Sequence, residues 1–470
     1  MPEPRVQRSR GVTLAVVWAL LFGSFGCQSE RHGATPAPRA NVVWIVLDAA
    51  GASHFGLYGY ARPTTPSIDR LGGESAVFER AYAQYPSTVS STGSFLTGRY
   101  PHEALTGNKV TAPTIATYLR AEGFRTAAFS ENPWVAPTFG FAQGFDEFQS
   151  MSAPEGSVTD RRDSAATINR SIEWIEVNAD APFMLYVHIF PPHAPYDPPS
   201  PFEGNFRAPE LRPQWPMLEV ALGQRRVGAA DLQLLSKLST GEADLRTLAV
   251  TESDIELAKA SYDENLAYAD HQVGRLLEAM RELDLLERSV IIVTADHGEA
   301  FGEHAQIFHG SSLYAEQIHV PLVIRLPKSA GTLPGRWPTV VELVDIVPTL
   351  LDLQGIRVPD LDGQSLLPLI ESRGEPPDEI ARSWLYARDL AAVQLRDAKL
   401  ITDGSRAQRF DLREDPLETN NLAGANAPSL EHLLVSITSG DGEPLTEHAV
   451  DIDESTKAEL EALGYVVGDP

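Results

Sequence analysis

Carboxylate and imidazole side chains follow two separate apolar segments of this sequence. Asp48 comes directly after the run at residues 42–47, and the Asp296–His297 pair comes shortly after the run at residues 290–293. Carboxylates combined with one imidazole form a ligand set that suits Mn²⁺, Mg²⁺, Ca²⁺ or Zn²⁺. The residue types therefore predict a divalent metal site made of Asp48, Asp296 and His297.

A second group of reactive side chains is a cluster of hydroxyls between Tyr85 and Gly98. The segment reads YPSTVSSTGSFLTG, and Pro86 favours a helix that begins just after it. A hydroxyl at a helix N-terminus faces unpaired N–H groups and the positive end of the helix dipole, which favour an alkoxide and an incoming anion. A metal ion at the same point would lower the pKa of the hydroxyl further. This segment therefore predicts a reactive hydroxyl that meets an anionic group.

Apolar runs rich in β-branched residues would position these side chains. Such runs read as strands buried on both faces, with a helical pattern of apolar residues from Tyr262 to Met280 between them. The alternation predicts an α/β fold, a mostly parallel sheet covered by helices on both faces. Ligands bind such sheets at the carboxyl ends of the strands. Three strands would deliver Asp48, His193 and the Asp296–His297 pair to that edge. The four runs lie at residues 42–47, 183–190, 290–293 and 320–326.

Changes in composition divide the chain into five segments. Pro- and Gly-rich connections followed by short strand candidates around residues 395–401 and 410–412 predict a small C-terminal α+β subdomain. The end of the chain is acidic, as a solvated tail would be. The predicted segments are a signal peptide at 1–26, a tether at 27–40, a catalytic domain at 41–369, a C-terminal subdomain at 370–430 and an acidic tail at 431–470.

The overall charge limits the partners. The chain has 38 Lys and Arg against 64 Asp and Glu, a net charge of −26, which argues against nucleic acid as a partner because phosphate backbones are bound through Lys and Arg. A small anionic substrate is still compatible, since a bound cation can reverse the local potential. The single cysteine excludes a disulfide framework and a Cys-rich metal cluster.

That cysteine lies at the end of an N-terminal export signal. Arg5, Arg8 and Arg10 precede an apolar run at residues 12–25, which has the length of a secretory signal and is short for a membrane span. Gly26 directly precedes Cys27, as in bacterial lipoprotein signals. We predict that the chain is secreted across the inner membrane and anchored in the bacterial cell envelope by a lipid on Cys27. An ordinary signal peptide or an uncleaved anchor are the alternatives.

A series of ordered blocks runs from about Asn41 to Ala423. They include VVWIVLDAAG, FLTGRYPH, PPHAPYDPP, VTADHGEAFGEH and FDLREDPLETNNLA. Together these blocks resemble the sulfatase branch of the alkaline phosphatase superfamily. The resemblance implies an alkaline-phosphatase-like fold and an enzyme that cleaves or transfers an ester of phosphoric or sulfuric acid.

Roles for individual residues follow from the same resemblance. It implies that Asp48, Asp296 and His297 are metal ligands. It implies that Thr88 stands at the position of the nucleophile. It also implies that His193 and His309 contact the transferred group and its leaving oxygen.

Three departures from the sulfatase pattern affect the chemistry. Sulfatases carry a Cys or Ser, oxidised to formylglycine, in a Cys/Ser-x-Pro-Ser-Arg motif, whereas this chain has Thr88, Ser90 and Thr92 at the first, third and fifth positions. Threonine cannot give the aldehyde because its β-carbon carries a methyl group, so no formylglycine is expected. Ala49 replaces the second of two adjacent aspartates. Asn132 lies where many sulfatases bind sulfate through Lys and His, and it could donate a hydrogen bond to the substrate instead.

Three hypotheses for the function follow. The preferred one is a metal-dependent hydrolase or transferase of phospho- or phosphonate esters that uses Thr88 as a covalent nucleophile. The second is a sulfuric ester hydrolase, a sulfatase proper. The third is a lipoprotein that binds glycans or anions without catalysis. The expected partners are a small anionic ester, a glycan or a lipid headgroup, and a membrane reached through the lipid anchor.

Overall fold

The computed structural model describes residues 39–150, 163–331, 334–371 and 379–422. The predicted signal peptide, Cys27, almost all of the tether and the acidic tail lie outside these residues, and lipidation, location and the proposed segment boundaries stay predictions. No helix in the described ranges is both long and apolar enough to cross a membrane.

The described residues form sixteen strands and eleven α-helices. The strands are β1 Asn41–Leu47, β2 Ala76–Tyr82, β3 Leu105–Thr106, β4 Lys109–Val110, β5 Arg125–Ser130, β6 Glu147–Ser150, β7 Phe183–Ile189, β8 Ser289–Ala295, β9 Ala300–Phe301, β10 Ile307–Phe308, β11 His319–Arg325, β12 Gly335–Glu342, β13 Ile380–Leu385, β14 Leu390–Leu395, β15 Ala398–Thr402 and β16 Ala407–Asp411. The helices are α1 Pro66–Gly72, α2 Thr88–Thr97, α3 Pro101–Ala104, α4 Ile115–Ala121, α5 Ser164–Asn178, α6 Pro216–Ala221, α7 Ala229–Thr240, α8 Glu252–Glu282, α9 Ala315–Ile318, α10 Ile346–Leu353 and α11 Leu367–Ile370.

Eight strands form the central sheet in the order β12-β2-β11-β8-β1-β7-β5-β6. All neighbouring strands are parallel except at β11, which runs antiparallel to both β2 and β8. The buried central strands are continuous apolar runs, as a sheet covered on both faces requires. Helices cover both faces, and the predicted α/β fold is confirmed.

Strand register explains why distant residues meet at one edge of the sheet. In β1, Leu47 pairs with Ile189 of β7 and with Ala295 of β8. Because these three strands are parallel, the residues that follow them lie side by side. Asp48 and Asp296 are each the first residue after a strand, so the register alone brings their carboxylates together.

The C-terminal residues form a second sheet of four antiparallel strands, β13-β14-β15-β16. The sequence predicted strands near β15 and β16 but not β13. Buried Lys399 of β15 forms an ion pair with Glu418, at 2.8 Å between Nζ and Oε1. The backbone oxygen of Glu418 accepts a hydrogen bond from His304 Nε2, at 2.9 Å. This contact ties the small sheet to the loop that follows β9.

The first residue of β11, His319, makes stability depend on pH. Its Nε2 donates to the backbone oxygen of Glu79 at 2.9 Å, and its ring packs against Tyr58 and Tyr82. Burial lowers the pKa of His319 from 6.5 to about 4, with smaller contributions from Lys399 and Arg80. Below pH 6.5 the unfolded chain therefore binds a proton that the folded chain excludes, and stability falls as pH falls toward 4.

We expect His319→Gln to weaken this acid sensitivity, since glutamine can still donate to Glu79 but does not titrate. Between pH 7.5 and pH 5 the parent should lose about 2 kcal/mol through this group, equivalent to roughly 2–4 °C in melting temperature. Differential scanning fluorimetry at both pH values measures the difference. His271→Gln, at an exposed histidine of α8, is the control. Equal acid shifts in parent and His319→Gln would contradict the prediction.

Candidate active site

Two carboxylates and an imidazole converge at the carboxyl ends of β1, β7 and β8. One ligand atom from each of Asp48, His188 and Asp296 can be chosen so that all lie within 4.8 Å of one another. All three side chains are fully buried. His188 Nε2 is 3.3 Å from Asp48 Oδ2 and 4.0 Å from Asp296 Oδ2. These residues have the composition and spacing of a site that could hold a divalent cation.

The hydrogen bonds of these residues fit a bound cation. Asp48 Oδ1, Asp296 Oδ2 and His188 Nε2 are buried, and none has a hydrogen-bond partner among the residues that the structure describes. Buried carboxylates that face each other without a counter-charge repel and lose hydration. The other atoms of the cluster are satisfied: Asp296 Oδ1 accepts from the backbone N–H groups of Ala49 and His297, and His188 Nδ1 bonds Tyr186 Oη. The unsatisfied atoms are therefore the ones available to a metal.

Thr88 is the first residue of α2, and its hydroxyl lies next to this cluster. Its Oγ1 is 3.3 Å from His297 Nε2 and 3.4 Å from Asn132 Nδ2. The His297 Nδ1 donates to the backbone oxygen of Gly298, so Nε2 is the ring nitrogen that faces Thr88. Ser91 of α2 donates to the backbone oxygen of Asp296 at 2.5 Å and fixes the helix against β8. The predicted helix after Pro86 is confirmed, and it presents a hydroxyl to the cluster.

His297 lies at the border between the cluster and Thr88. Its Nε2 is 3.4 Å from Asp296 Oδ2 and 3.9 Å from Asp48 Oδ1. The structure therefore brings together the three residues that the sequence predicted as ligands, and it places His188 against the same carboxylates.

Asn132 follows β5 and reaches the same point. Its Nδ2 donates to Asp48 Oδ2 and also contacts Thr88 Oγ1, while its Oδ1 accepts from the N–H of Trp134 at 2.8 Å. The sequence predicted that this amide donates to the substrate, and that role stays a prediction. In the structure the amide links the carboxylate of Asp48 to the hydroxyl of Thr88.

His193 and His309 form the other wall of the site. The His309 ring centroid is 4.3 Å from that of His297 and 5.0 Å from that of His193. Burial lowers the pKa of both His193 and His309, which favours neutral rings in the absence of substrate. Glu299 bonds His309 Nδ1 at 2.8 Å, and burial raises the pKa of Glu299 to about 7. Both predicted histidines thus belong to a row of rings that begins at His297, the residue that contacts Thr88.

Comparison with known proteins identifies the family of this chain. The family model "Sulfatase" matches residues 40–356, and the model of the C-terminal part of N-sulphoglucosamine sulphohydrolase matches residues 302–437. The chain belongs to the sulfatase family. The predicted resemblance is confirmed, and the protein is a sulfatase-family hydrolase.

Individual relatives are similar at low identity over most of their length. Arylsulfatase K of Mus musculus is 27% identical over 460 residues, covering 88% of this chain and 81% of its own. N-acetylglucosamine-6-O-sulfatase of Bacteroides thetaiotaomicron is 24% identical, and the match covers 89% of this chain and 88% of that protein. The crystal structure of phosphonate monoester hydrolase of Agrobacterium radiobacter matches with a TM-score of 0.66 at 22% identity. The match covers 85% of this chain and 94% of that one. That structure shares the fold of this chain.

Ala49 occupies the position of the second aspartate of sulfatases. Its backbone is left-handed, with φ of 57°, so that its N–H donates to Asp296 Oδ1 at 3.0 Å and its carbonyl accepts from Tyr262 Oη at 2.7 Å. The residue keeps the turn that orients Asp296 but supplies no ligand atom. His188, on the neighbouring strand, lies against the same pair of carboxylates.

Four consecutive residues of α8, at positions 262–265, anchor loops around the site, and the first and last of them hold the loops that carry functional residues. Tyr262 accepts from Gly51 N and donates to Ala49 O, which fixes the turn after Asp48. Asn265 Nδ2 donates to the backbone oxygen of Pro195 at 3.0 Å and to that of His193 at 3.4 Å. Both side chains are buried, and each holds one functional loop by its backbone.

The two residues between them anchor two further loops. Asp263 accepts from Arg62 at 2.8 Å and from Tyr60 at 2.5 Å. Glu264 Oε1 accepts from the backbone N–H of Phe206 and of Arg207. Since successive helical residues point about 100° apart, these four neighbours face all sides of α8, and this turn of the helix is enclosed by loops.

Sequence reasoning missed His188, Glu299 and the anchors on α8. A signal existed for His188, because it is a polar residue near the carboxyl end of the otherwise apolar strand FMLYVHI. Glu299 lies inside the VTADHGEAFGEH block but has no distinguishing spacing. The anchors lie on an amphipathic helix, where polar residues ordinarily face solvent.

Proposed function

We propose that this protein is a metal-dependent hydrolase or transferase of phospho- or phosphonate esters, with Thr88 as the covalent nucleophile. The observation that carries the proposal is the position of Thr88 Oγ1 at the N-terminus of α2, 3.3 Å from His297 Nε2 and beside the carboxylates of Asp48 and Asp296. A nucleophile at a helix N-terminus is placed to receive an anion and to lose its own proton.

The identity of the nucleophile favours phosphorus over sulfur as the reacting centre. Formylglycine hydrate releases sulfate by re-forming its aldehyde, a route that is closed to threonine. An ester on Thr88 must instead be attacked by water or by an acceptor alcohol. Transfer of a phosphoryl group depends chiefly on positioning and on neutralising the non-bridging oxygens, which the residues around Thr88 are arranged to provide.

The residues described above account for both halves of the reaction. Thr88 Oγ1 forms a bond to phosphorus while the bond to the leaving oxygen breaks. The hydroxyl loses one proton and the leaving oxygen gains one, and His193 and His309 are the side chains placed to carry it. Attack by water then returns the hydroxyl and releases phosphate or phosphonate, and attack by an alcohol gives transfer.

A divalent cation held by Asp48, Asp296, His297 and His188 would neutralise charge on the reacting group and lower the pKa of the hydroxyl. The protein's residues set the rest of the geometry. Asn132 holds Thr88 Oγ1 against Asp48, and α2 directs its N–H groups at the incoming anion.

A sulfuric ester hydrolase is the second candidate function. It is favoured by the family model and by the names of the curated relatives, arylsulfatase K and N-acetylglucosamine-6-O-sulfatase. A sulfated glycan would then be the substrate. The chain's membership of a family of hydrolases argues against the third hypothesis, a binding protein without catalysis.

Intact-mass spectrometry after a rapid quench distinguishes the candidates. The metal-loaded protein is mixed with bis(4-nitrophenyl) phosphate, with phenyl phosphonate esters and, separately, with 4-nitrophenyl sulfate. We expect a phospho- or phosphono-adduct that maps to the peptide containing Thr88 and a lower rate with the sulfate. Turnover of the sulfate that equals or exceeds every phosphorus ester would contradict the proposal and favour a sulfatase.

A further inference from the structure

Glu299 makes two directed side-chain contacts next to the site. It is 3% exposed, and its Oε1 lies 2.8 Å from His309 Nδ1. Its Oε2 accepts from Tyr196 Oη at 3.1 Å. With both oxygens engaged, the carboxylate cannot rotate without losing one of these bonds, and its direction is fixed from both sides.

A small hairpin brings Glu299 and His309 together independently of any substrate. Strands β9 and β10 pair antiparallel, with Ala300 opposite Phe308. Glu299 directly precedes β9 and His309 directly follows β10, so the two residues form the next pair along the ladder. The hairpin is held by Phe301 and Ile307, which lie in a buried apolar cluster with Tyr196.

The contact determines which nitrogen of His309 faces the site. An ionised Glu299 accepts a hydrogen bond from an N–H, which places the proton of His309 on Nδ1 and leaves the lone pair on Nε2. The ring lies between those of His297 and His193, and its side chain is 15% exposed, so the edge opposite Glu299 remains within reach of a bound group. A neutral Nε2 accepts a proton from attacking water or, once protonated, returns it to a leaving oxygen.

We propose that Glu299 is a positioning residue that holds His309 with its proton on Nδ1 and its Nε2 directed at the transferred group. The hydrogen bond orients the ring, as a carboxylate behind a catalytic histidine does in other enzymes. This role rests on the proposed function of the site.

Two substitutions of Glu299 distinguish a role in positioning His309 from a role in packing alone. Glu299→Gln keeps the shape and an oxygen that accepts from Nδ1–H, with Tyr196 able to accept from the amide. Glu299→Leu removes both acceptors. We expect Glu299→Leu to lower kcat by about 100-fold and to change KM less than about threefold. Glu299→Gln should keep most of the parental kcat. Metal content should not change in either variant. Glu342→Gln, at a buried carboxylate at the end of β12, is the matched control.

The tautomer of His309 gives a readout that does not need turnover. ¹⁵N spectra of histidine-labelled, Mg²⁺-loaded protein, assigned with His309→Gln, should show the Nδ1–H form in the parent and in Glu299→Gln. Glu299→Leu should shift the ring toward the Nε2–H form. The Nε2–H form in the parent would overturn the proposal, and so would an unchanged kcat in Glu299→Leu or loss of metal from either variant. If Thr88→Ala left turnover unchanged, the proposed function would fail, and the tautomer would still decide the role of Glu299.

Discussion

Thr88→Ala should lower turnover of every substrate that the protein accepts by at least about 10³-fold. The alanine removes the one atom that forms the covalent bond in the proposed reaction. It leaves α2 in place, because the helix is tied to β8 through Ser91 and not through Thr88. Steady-state rates with an aryl phosphodiester, an aryl phosphonate ester and an aryl sulfate measure the effect.

Two variants control for changes that do not involve the nucleophile. Thr88→Ser keeps the hydroxyl and should retain activity within about tenfold of the parent. Thr92→Ala removes a buried threonine one turn later in α2, whose Oγ1 makes no hydrogen bond within the described parts of the chain. This variant should turn over substrate at nearly the parental rate. Turnover by Thr88→Ala at the parental rate would rule out a covalent role for this residue.

Asp296→Asn should weaken divalent metal binding by at least about 100-fold and abolish turnover with it. Oδ1 of Asp296 already accepts from the backbone of Ala49 and His297. The asparagine oxygen would keep these two bonds, which turns the amide NH₂ toward the position of Oδ2. A donor then stands where the metal needs a lone pair, so an isosteric change removes a ligand as well as a charge.

Metal content after dialysis, measured by plasma mass spectrometry, tests this directly. The melting temperatures of Asp296→Asn and the parent give an independent test of the ligand role. Without metal, Asp296→Asn should melt higher than the parent, because one of two facing buried carboxylates is gone. With metal the order should reverse, since only the parent gains the free energy of binding. Asp270→Asn, at a buried aspartate that bonds the start of α1, should keep its metal. Full metal content and full activity in Asp296→Asn would exclude the ligand role.

The parts of the fold that the sequence predicted are those with strong local patterns. β1 and β8 are buried, mostly apolar strands with an aspartate directly after each, and parallel pairing then brings Asp48 and Asp296 together without further information. The long helix α8 was also predicted, because its apolar residues from Tyr262 to Met280 recur at spacings of three and four. β13 was missed because polar Arg382 and Ser383 lie in the middle of its sequence, IARSWL, and break the apolar run.

The site was predicted less completely than the fold, for a physical reason. Asp48 follows from its position at a strand end, and the hydroxyl-rich segment follows from its position at a helix start. Only the resemblance to sulfatases selected Thr88 within that segment. The pairing of Glu299 with His309 depends on a hairpin of two-residue strands, whose register leaves little trace in composition. The pairing of Asn265 with the His193 loop joins residues 72 apart in sequence, and such contacts are set by packing and not by propensity.

The enclosed turn of α8 also bears on how this protein could change during evolution. Each loop around the site is anchored to the helix at a small number of residues, so a loop can gain or lose length between its anchors while the other contacts persist. An insertion or deletion of one residue within α8 before Tyr262 would instead rotate Tyr262, Asp263, Glu264 and Asn265 by about 100° together. All four anchors would then fail at once. Variation in length is therefore expected to accumulate in the loops that bind substrate, while the register of this helix stays fixed.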